Sequence, residues 1–236
     1  TKFIKKLIGA EEFLDGKQRF CLWLSNKNLN DALKIEPIKT RIENVKNMRL
    51  SSTDKAAHKL AERAHQFRET NETTTSSLII PLTTSERRVY IPLGFVNSEY
   101  IATNAVSVIY DAEPWIFGVI SSLMHMAWVR AVGGSLETRI RYSSVLCYNT
   151  FPFPNISQKQ KDEITELVFA ILDEREKHSQ KTLAQLYDPD KMPEGLRKAH
   201  HTLDKAIEQC YRTKPFESDE ERLEYLFKMY EEMSSK

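Results

Sequence analysis

Glycine is scarce: a chain of 236 residues has only seven, at 9, 16, 94, 118, 133, 134 and 195, and none makes a GxGxxG-like turn. That excludes the glycine-rich loop in which many nucleotide cofactors are cradled. Cysteine is scarcer still. Cys21, Cys147 and Cys210 lie far apart and show no CxxC spacing. An odd, scattered set reads as reduced thiols in a cytoplasmic protein rather than as a disulfide framework. The histidines (58, 65, 125, 178, 200, 201) contain no HExxH, and no cysteine stands at metal spacing from them. Asp188-Pro189-Asp190 lacks the glycine and closing glutamate of a calcium loop and reads as a turn. No Ser/His/Asp set stands out, so the expectation is a chain without its own catalysis and without a metal. The longest apolar stretch, Trp115 to Val132, is interrupted by His125, Arg130 and serines, so no membrane span is expected. The opening Thr-Lys-Phe-Ile-Lys-Lys carries no signal peptide and no initiator Met, and reads as the start of an excised segment.

A charge of one sign is also missing overall, since 34 Lys/Arg face 33 Asp/Glu and leave +1. The distribution says more. Residues 1–154 hold 20 basic and 15 acidic residues, whereas residues 155–236 hold 14 and 18. A basic front and an acidic tail suit a polyanionic partner for the front alone. Part of that charge is concentrated between Lys34 and Arg68, where nine Lys/Arg accompany four Asp/Glu. Ile38, Ile42, Val45 and Met48 keep helical spacing there, and Ser52 or Thr53 is placed to cap a second helix. Lys39, Arg41, Lys46, Arg49, Lys55 and Lys59 then occupy outer faces, either solvated or set against phosphates.

Local signals place the other elements. Asp15-Gly16 between apolar-containing flanks predicts a hairpin turn, with a buried strand over Arg19–Leu24. Asn30 or Asp31 is a possible helix N-cap. Leu78–Leu82, Arg88–Phe95 and Ile101–Tyr110 are rich in β-branched residues and read as strands. Thr83, Thr84, Ser85, Arg87 and Asn104 cluster at their ends. Glu113-Pro114 opens a helix predicted to run to Val132, in which His125 and Met126 are core residues. After Phe151-Pro-Phe-Pro154 the pattern turns helical. Ser157-x-x-Gln160 is a capping box, Ser218-x-x-Glu221 caps a last helix, and Pro193 starts a helix with Leu196, His200, Leu203 and Ile207 on one stripe. The prediction is an α+β fold. A mixed β-sheet domain with packed helices occupies residues 1–152, and an all-α helical tail occupies 153–236.

The stretch Gly133–Pro154 carries the sharpest functional signal. Gly133-Gly134 ends the apolar helix, and the chain then reads as one strand from Ser135 to Tyr148. Leu136, Thr138 and Ile140 fall on one face and Glu137, Arg139 and Arg141 on the other. That charged face is a poor fit to a core. It suits a DNA groove, where Arg pairs with guanine O6 and N7 and Glu accepts from cytosine N4. A solvated sheet face with cross-strand ion pairs would carry the same pattern.

The run Ser122–Val132, the Arg-Tyr-Ser at 141–143 and the Tyr-Asn-x-Phe-Pro at 148–152 resemble the C-terminal part of MmeI-like DNA methyltransferases. Ile8–Phe13, Ser85–Pro92 and Leu186–Pro193 extend the resemblance over nearly the whole chain, with Thr150 standing where a second Asn is expected. The resemblance implies a single-chain restriction–modification enzyme that methylates adenine N6. Residues 1–152 would be its target-recognition domain, binding double-stranded DNA. S-adenosylmethionine, the chemistry and any nuclease would lie in upstream domains of the same chain, and no cofactor would bind in this segment. Glu137, Arg139 and Arg141 become base readers, with Thr83, Ser85, Asn104 and Ala105 as secondary candidates. Lys39, Arg41, Lys46, Arg49, Lys55, Lys59 and Arg87 become phosphate contacts. A protein-docking scaffold without DNA specificity is the competing function.

Overall fold

The computed structural model describes residues 2–235. Three small three-stranded sheets, rather than one mixed sheet, are surrounded by helices. The first has β1 (Ile4–Ile8) between β2 (Phe20–Leu22), antiparallel, and β6 (Tyr100–Ala102), parallel. Between β1 and β2 stands α1 (Ala10–Asp15), so Asp15-Gly16 is no hairpin turn: Gly16, at φ 69°, is the left-handed cap of that helix. Helix α2 (Leu29–Ala32) starts from Asn28, two or three residues earlier than Asn30 or Asp31 would place it. Next come α3 (Glu36–Leu50) and α4 (Lys55–Leu60), and the residue capping α4 is Asp54, not Ser52 or Thr53. Asp54 Oδ1 accepts from the Ala56 N–H at 2.8 Å. Ile38 and Ile42 of α3 pack with Phe3, Leu22 and Leu24 of the β1–β2 arm.

The second sheet centres on β3 (Ser76–Pro81), flanked antiparallel by β5 (Gly94–Asn97) and β7 (Val106–Tyr110). A central strand buried on both faces explains the unbroken Leu78-Ile79-Ile80 run. Of the strand expected over Arg88–Phe95, only its end forms. Pro92 has no N–H for a ladder, and the Leu93 carbonyl accepts from Arg175 instead, at 2.7 Å. The strand expected over Ile101–Tyr110 breaks at Thr103, because β6 belongs to the first sheet and β7 to the second. The third sheet is β4 (Thr83–Thr84), β9 (Arg139–Arg141) and β8 (Gly134–Leu136), in that order.

The helix expected from Glu113 to Val132 is two helices, α5 (Pro114–Ser121) and α6 (Leu123–Val132), bent by 59°. Ser122 (ψ 162°) leaves the helical region and caps α6, its hydroxyl accepting from the His125 N–H. No single helix is long and apolar enough to cross a membrane, and most of the α5–α6 pair is buried against protein. The C-terminal helices are α7 (Gln158–Glu176), a short α8 (Leu183–Leu186) opened by a Thr182-x-x-Gln185 capping box, α9 (Glu194–Tyr211) and α10 (Asp219–Ser234). The Ser157 and Ser218 caps form as expected. One large core runs from Leu78 in β3 through α5 and α6 to Leu226 in α10, so the tail shares the interior of the preceding residues. His125 and His200 lie in that interior, fully buried. Gly118 marks the tightest helix contact: a Cβ there would lie 2.4 Å from Ile164 Cγ2.

Candidate nucleic-acid interface

The charged stretch is built by α6 running straight into a hairpin. Gly133 ends α6 in extended backbone (φ −69°, ψ 155°). Glycine is needed there for room, since a Cβ would sit 2.4 Å from the Val129 carbonyl oxygen. Strands β8 and β9 pair Gly134 with Arg141, Ser135 with Ile140 and Leu136 with Arg139. Glu137-Thr138 is therefore a two-residue turn, and the single strand expected from Ser135 to Tyr148 is a hairpin followed by a π-helical turn, Ser144–Tyr148. The chain reverses at residues whose alternation predicts mid-strand. Glu137 thus sits at the tip and does not share a strand face with Arg139. Its φ of 56° is left-handed, and the residue after it is not. That signature belongs to the turn type that prefers glycine at its first central position. A glutamate held there carries backbone strain of about 1–2 kcal/mol, which is a reason to ask what its side chain does.

Alternation along β9 splits its side chains. Ile140 faces inward, half-buried beside a buried Thr84 on β4. Arg139 and Arg141 face outward and are exposed, as is Leu136 opposite Arg139. Gly134, opposite Arg141, puts no side chain over the guanidinium on that flank. Among the described residues, Glu137, Arg139 and Arg141 enter no ion pair and no side-chain hydrogen bond. The cross-strand pairing expected of a merely solvated face is missing. Beside the hairpin, Arg139 and Thr138 share a hollow of about 340 Å³ with Glu86 and Arg130.

Three segments far apart in sequence meet at this sheet. Thr83 pairs with Arg141 across β4–β9, and Ser85 follows directly, its hydroxyl accepting from the Arg87 N–H at 3.3 Å. The Leu82 N–H donates to Ala105 at 3.2 Å, while the Tyr142 N–H donates to Leu82 at 2.8 Å. Thr83, Ser85, Asn104 and Ala105 are thus brought to the same corner as Arg141, with Asn104 and Ala105 exposed.

The cations of α3 and α4 divide. Arg41, Lys46, Lys55 and Lys59 are exposed and free of ion pairs among the described residues. Lys39 is half-buried, 3.8 Å from Glu36. Arg49 has a different job. Its guanidinium donates to the carbonyls of Leu60 (2.7 Å), Arg63 (3.1 Å) and Gln66 (2.8 Å), closing the end of the α4 segment. Arg87 pairs with Asp190 at 2.6 Å, an exposed contact that a phosphate can displace. Leu136, Glu86 and the exposed Val145 and Leu146 of the π-helical turn are the surface residues that the sequence reading left out. Placing the turn at Glu137-Thr138 would have singled out Leu136, the closing partner of Arg139.

The one strand–glycine–helix turn among the described residues is Ile8–Gly9–Ala10, and it is closely packed at the glycine. Thr103 Oγ1 and Glu12 Oε2 lie 2.7 and 2.9 Å from where a Gly9 Cβ would be. Glu12 itself accepts the Gly9 N–H at 2.7 Å, so the donor that would meet a phosphate is taken.

Two family models match the chain, the target recognition domain of MmeI over residues 1–155 and the C-terminal domain of MmeI over residues 156–236. DNA methyltransferase A of Bacillus subtilis (strain 168) is 49% identical over 235 residues, which make up 99% of this chain and 26% of that protein. The chain therefore spans about a quarter of the length of this curated relative. A solved structure of the Type IIL restriction-modification enzyme MmeI in complex with DNA superposes with a TM-score of 0.94 at 40% identity. It is matched over 100% of this chain and 31% of its own.

Proposed function

This chain belongs to the MmeI family, through its target recognition domain and its C-terminal domain, and from that premise we propose that it reads the DNA sequence for a site-specific methyltransferase. Direct readout from the β8–β9 hairpin is the mechanism. Arg139 and Arg141 present forked donors that match guanine O6 and N7, and Glu137, at the turn, presents an acceptor for the cytosine amino group. Separated by one residue across the turn, Glu137 and Arg139 address the two bases of one pair. Arg141, with Thr83 beside it, addresses a neighbouring pair, and Ser85, Asn104 and Ala105 extend the reading corner. Lys39, Arg41, Lys46, Lys55 and Lys59 contact phosphates and fix register without selecting sequence. Arg87 joins them once it leaves Asp190.

The observation that carries this reading is a strand with two outward guanidinium groups and no carboxylate partner. Holding the duplex lets another part of the full-length protein extrude an adenine, methylate N6 and bind S-adenosylmethionine. In the full-length enzyme, Arg139→Ala and Arg141→Ala should each relax the preference at one base pair, by about 1–3 kcal/mol, while leaving salt-dependent, non-specific binding in place. Equal loss on every duplex would instead assign the two arginines to phosphates. No salt-dependent duplex binding at all would favour the scaffold function.

A further inference from the structure

The C-terminal helices hold α6, the segment after β4 and the segment after the reading hairpin. At the start of α6, Asp204 of α9 accepts the Leu123 N–H on Oδ1 at 2.8 Å and the Tyr90 hydroxyl on Oδ2 at 2.7 Å. One buried carboxylate thus fastens α9 both to the first residue of α6 and to the segment that follows β4. A carboxylate at a helix N-terminus satisfies an otherwise unpaired N–H and complements the helix dipole. In the middle of α6, Trp128 packs against Phe227 (5.1 Å) and Tyr230 (5.6 Å) of α10. Near its end, Arg130 donates to Asp219 at the start of α10 (3.1 Å) and to the Arg88 carbonyl (3.2 Å). Beyond the hairpin, the Tyr211 hydroxyl of α9 donates to the Pro152 carbonyl at 3.0 Å.

Helix α6 is a rod of ten residues, and Gly133 alone separates its end from β8. The Gly133 N–H completes the helical ladder to Val129 at 2.8 Å, and the same glycine is pressed against that carbonyl. Fixing both ends of the rod therefore fixes where Glu137, Arg139 and Arg141 stand. We propose that the C-terminal helices are the seat of the reading hairpin, and that Asp204 and Arg130 are positioning residues that set how sharply base pairs are discriminated. This inference rests on the DNA-reading function proposed above.

Ordinary packing would make the same contacts, so the test needs a readout that loss of stability does not move. The full-length enzyme is assayed for methylation of its own site and of duplexes carrying one substituted base pair, alongside the salt slope of non-specific binding. Asp204→Ala and Arg130→Gln are expected to lower the ratio of specific to substituted rates about tenfold, because displacement of a reading group by a fraction of an ångström is costly. The salt slope should not change. Asp204→Asn, which keeps an acceptor for Leu123, should retain the wild-type ratio. If folded Asp204→Ala or Arg130→Gln protein kept the wild-type ratio, or lost rate equally on all duplexes, the inference would be overturned. Should Asp204→Ala fail to fold, Arg130→Gln and Asp219→Asn decide it, since both side chains are partly exposed and their ion pair adds little stability. A hairpin charge reversal that moves the motif while these variants keep their ratio refutes the seat and spares the reading. A reversal that leaves the motif unchanged refutes the reading itself.

Discussion

Replacing Glu137 by glycine should make the protein more stable and less selective at once. The residue sits at φ 56° in a two-residue turn. A left-handed conformation costs an ordinary residue about 1–2 kcal/mol, and glycine removes that cost. The added freedom of the unfolded chain returns about 0.4–1 kcal/mol of it. The net gain is roughly 0.5–1 kcal/mol, or about 1–4 °C in Tm for a unit of this size. Loss of the carboxylate should cost about 1–3 kcal/mol of discrimination at one base pair. Thermal unfolding and methylated-site mapping of the full-length variant measure the two effects separately. Glu137→Ala is the control: it loses the carboxylate, keeps the strain and should gain no stability. If Glu137→Gly gained nothing over Glu137→Ala, the strain would not exist. Intact discrimination in both variants would mean that the carboxylate reads nothing.

Other consequences are as direct. Lys46→Gln should weaken binding to all duplexes alike and reduce the salt slope by about 1, whereas Arg49→Gln should leave the slope alone. Arg49→Gln should instead cost about 1–3 kcal/mol of stability, because the carbonyls of Leu60, Arg63 and Gln66 lose their shared donor; a changed slope with unchanged Tm would reverse the assignment. Gly118→Ala should cost about 1–3 kcal/mol by forcing a methyl onto Ile164 between α5 and α7, and a neutral Tm would contradict the packing described. Burial raises the Asp204 carboxyl from 3.8 to about 7. Between those values the native state keeps a proton that the unfolded chain releases, so this group's contribution to stability falls as pH rises through the window. Asp204→Asn should therefore gain on wild type as pH is raised from about 5 to about 8, and a difference independent of pH would refute the raised value.

The sequence disclosed what depends on neighbours three or four residues away. Ser157 and Ser218 cap their helices as their spacing announces, and His200 faces the core while His201 faces solvent. It was silent where distant segments decide. Alternation along residues 134–141 looks the same in one strand as in a hairpin with a two-residue turn, and Glu137-Thr138 lacks the glycine or asparagine that marks such a turn. Asp15-Gly16 shows the reverse error, a turn signature used to end a helix. Arg49 has the spacing of an outer-face cation, yet carbonyls at 60–66 claim it. The bend at Ser122 is fixed partly by Asp204, which lies in another helix. The meeting of Thr83 with Arg141 is a sheet pairing that no local pattern encodes.

The central claim is that Glu137 and Arg139 read one base pair. Its most direct test is to map methylated sites in cells expressing the full-length enzyme with Glu137→Lys and Arg139→Asp together. The account expects a changed base pair at one position of the motif and the same bases elsewhere. An unchanged motif in an active enzyme would contradict it.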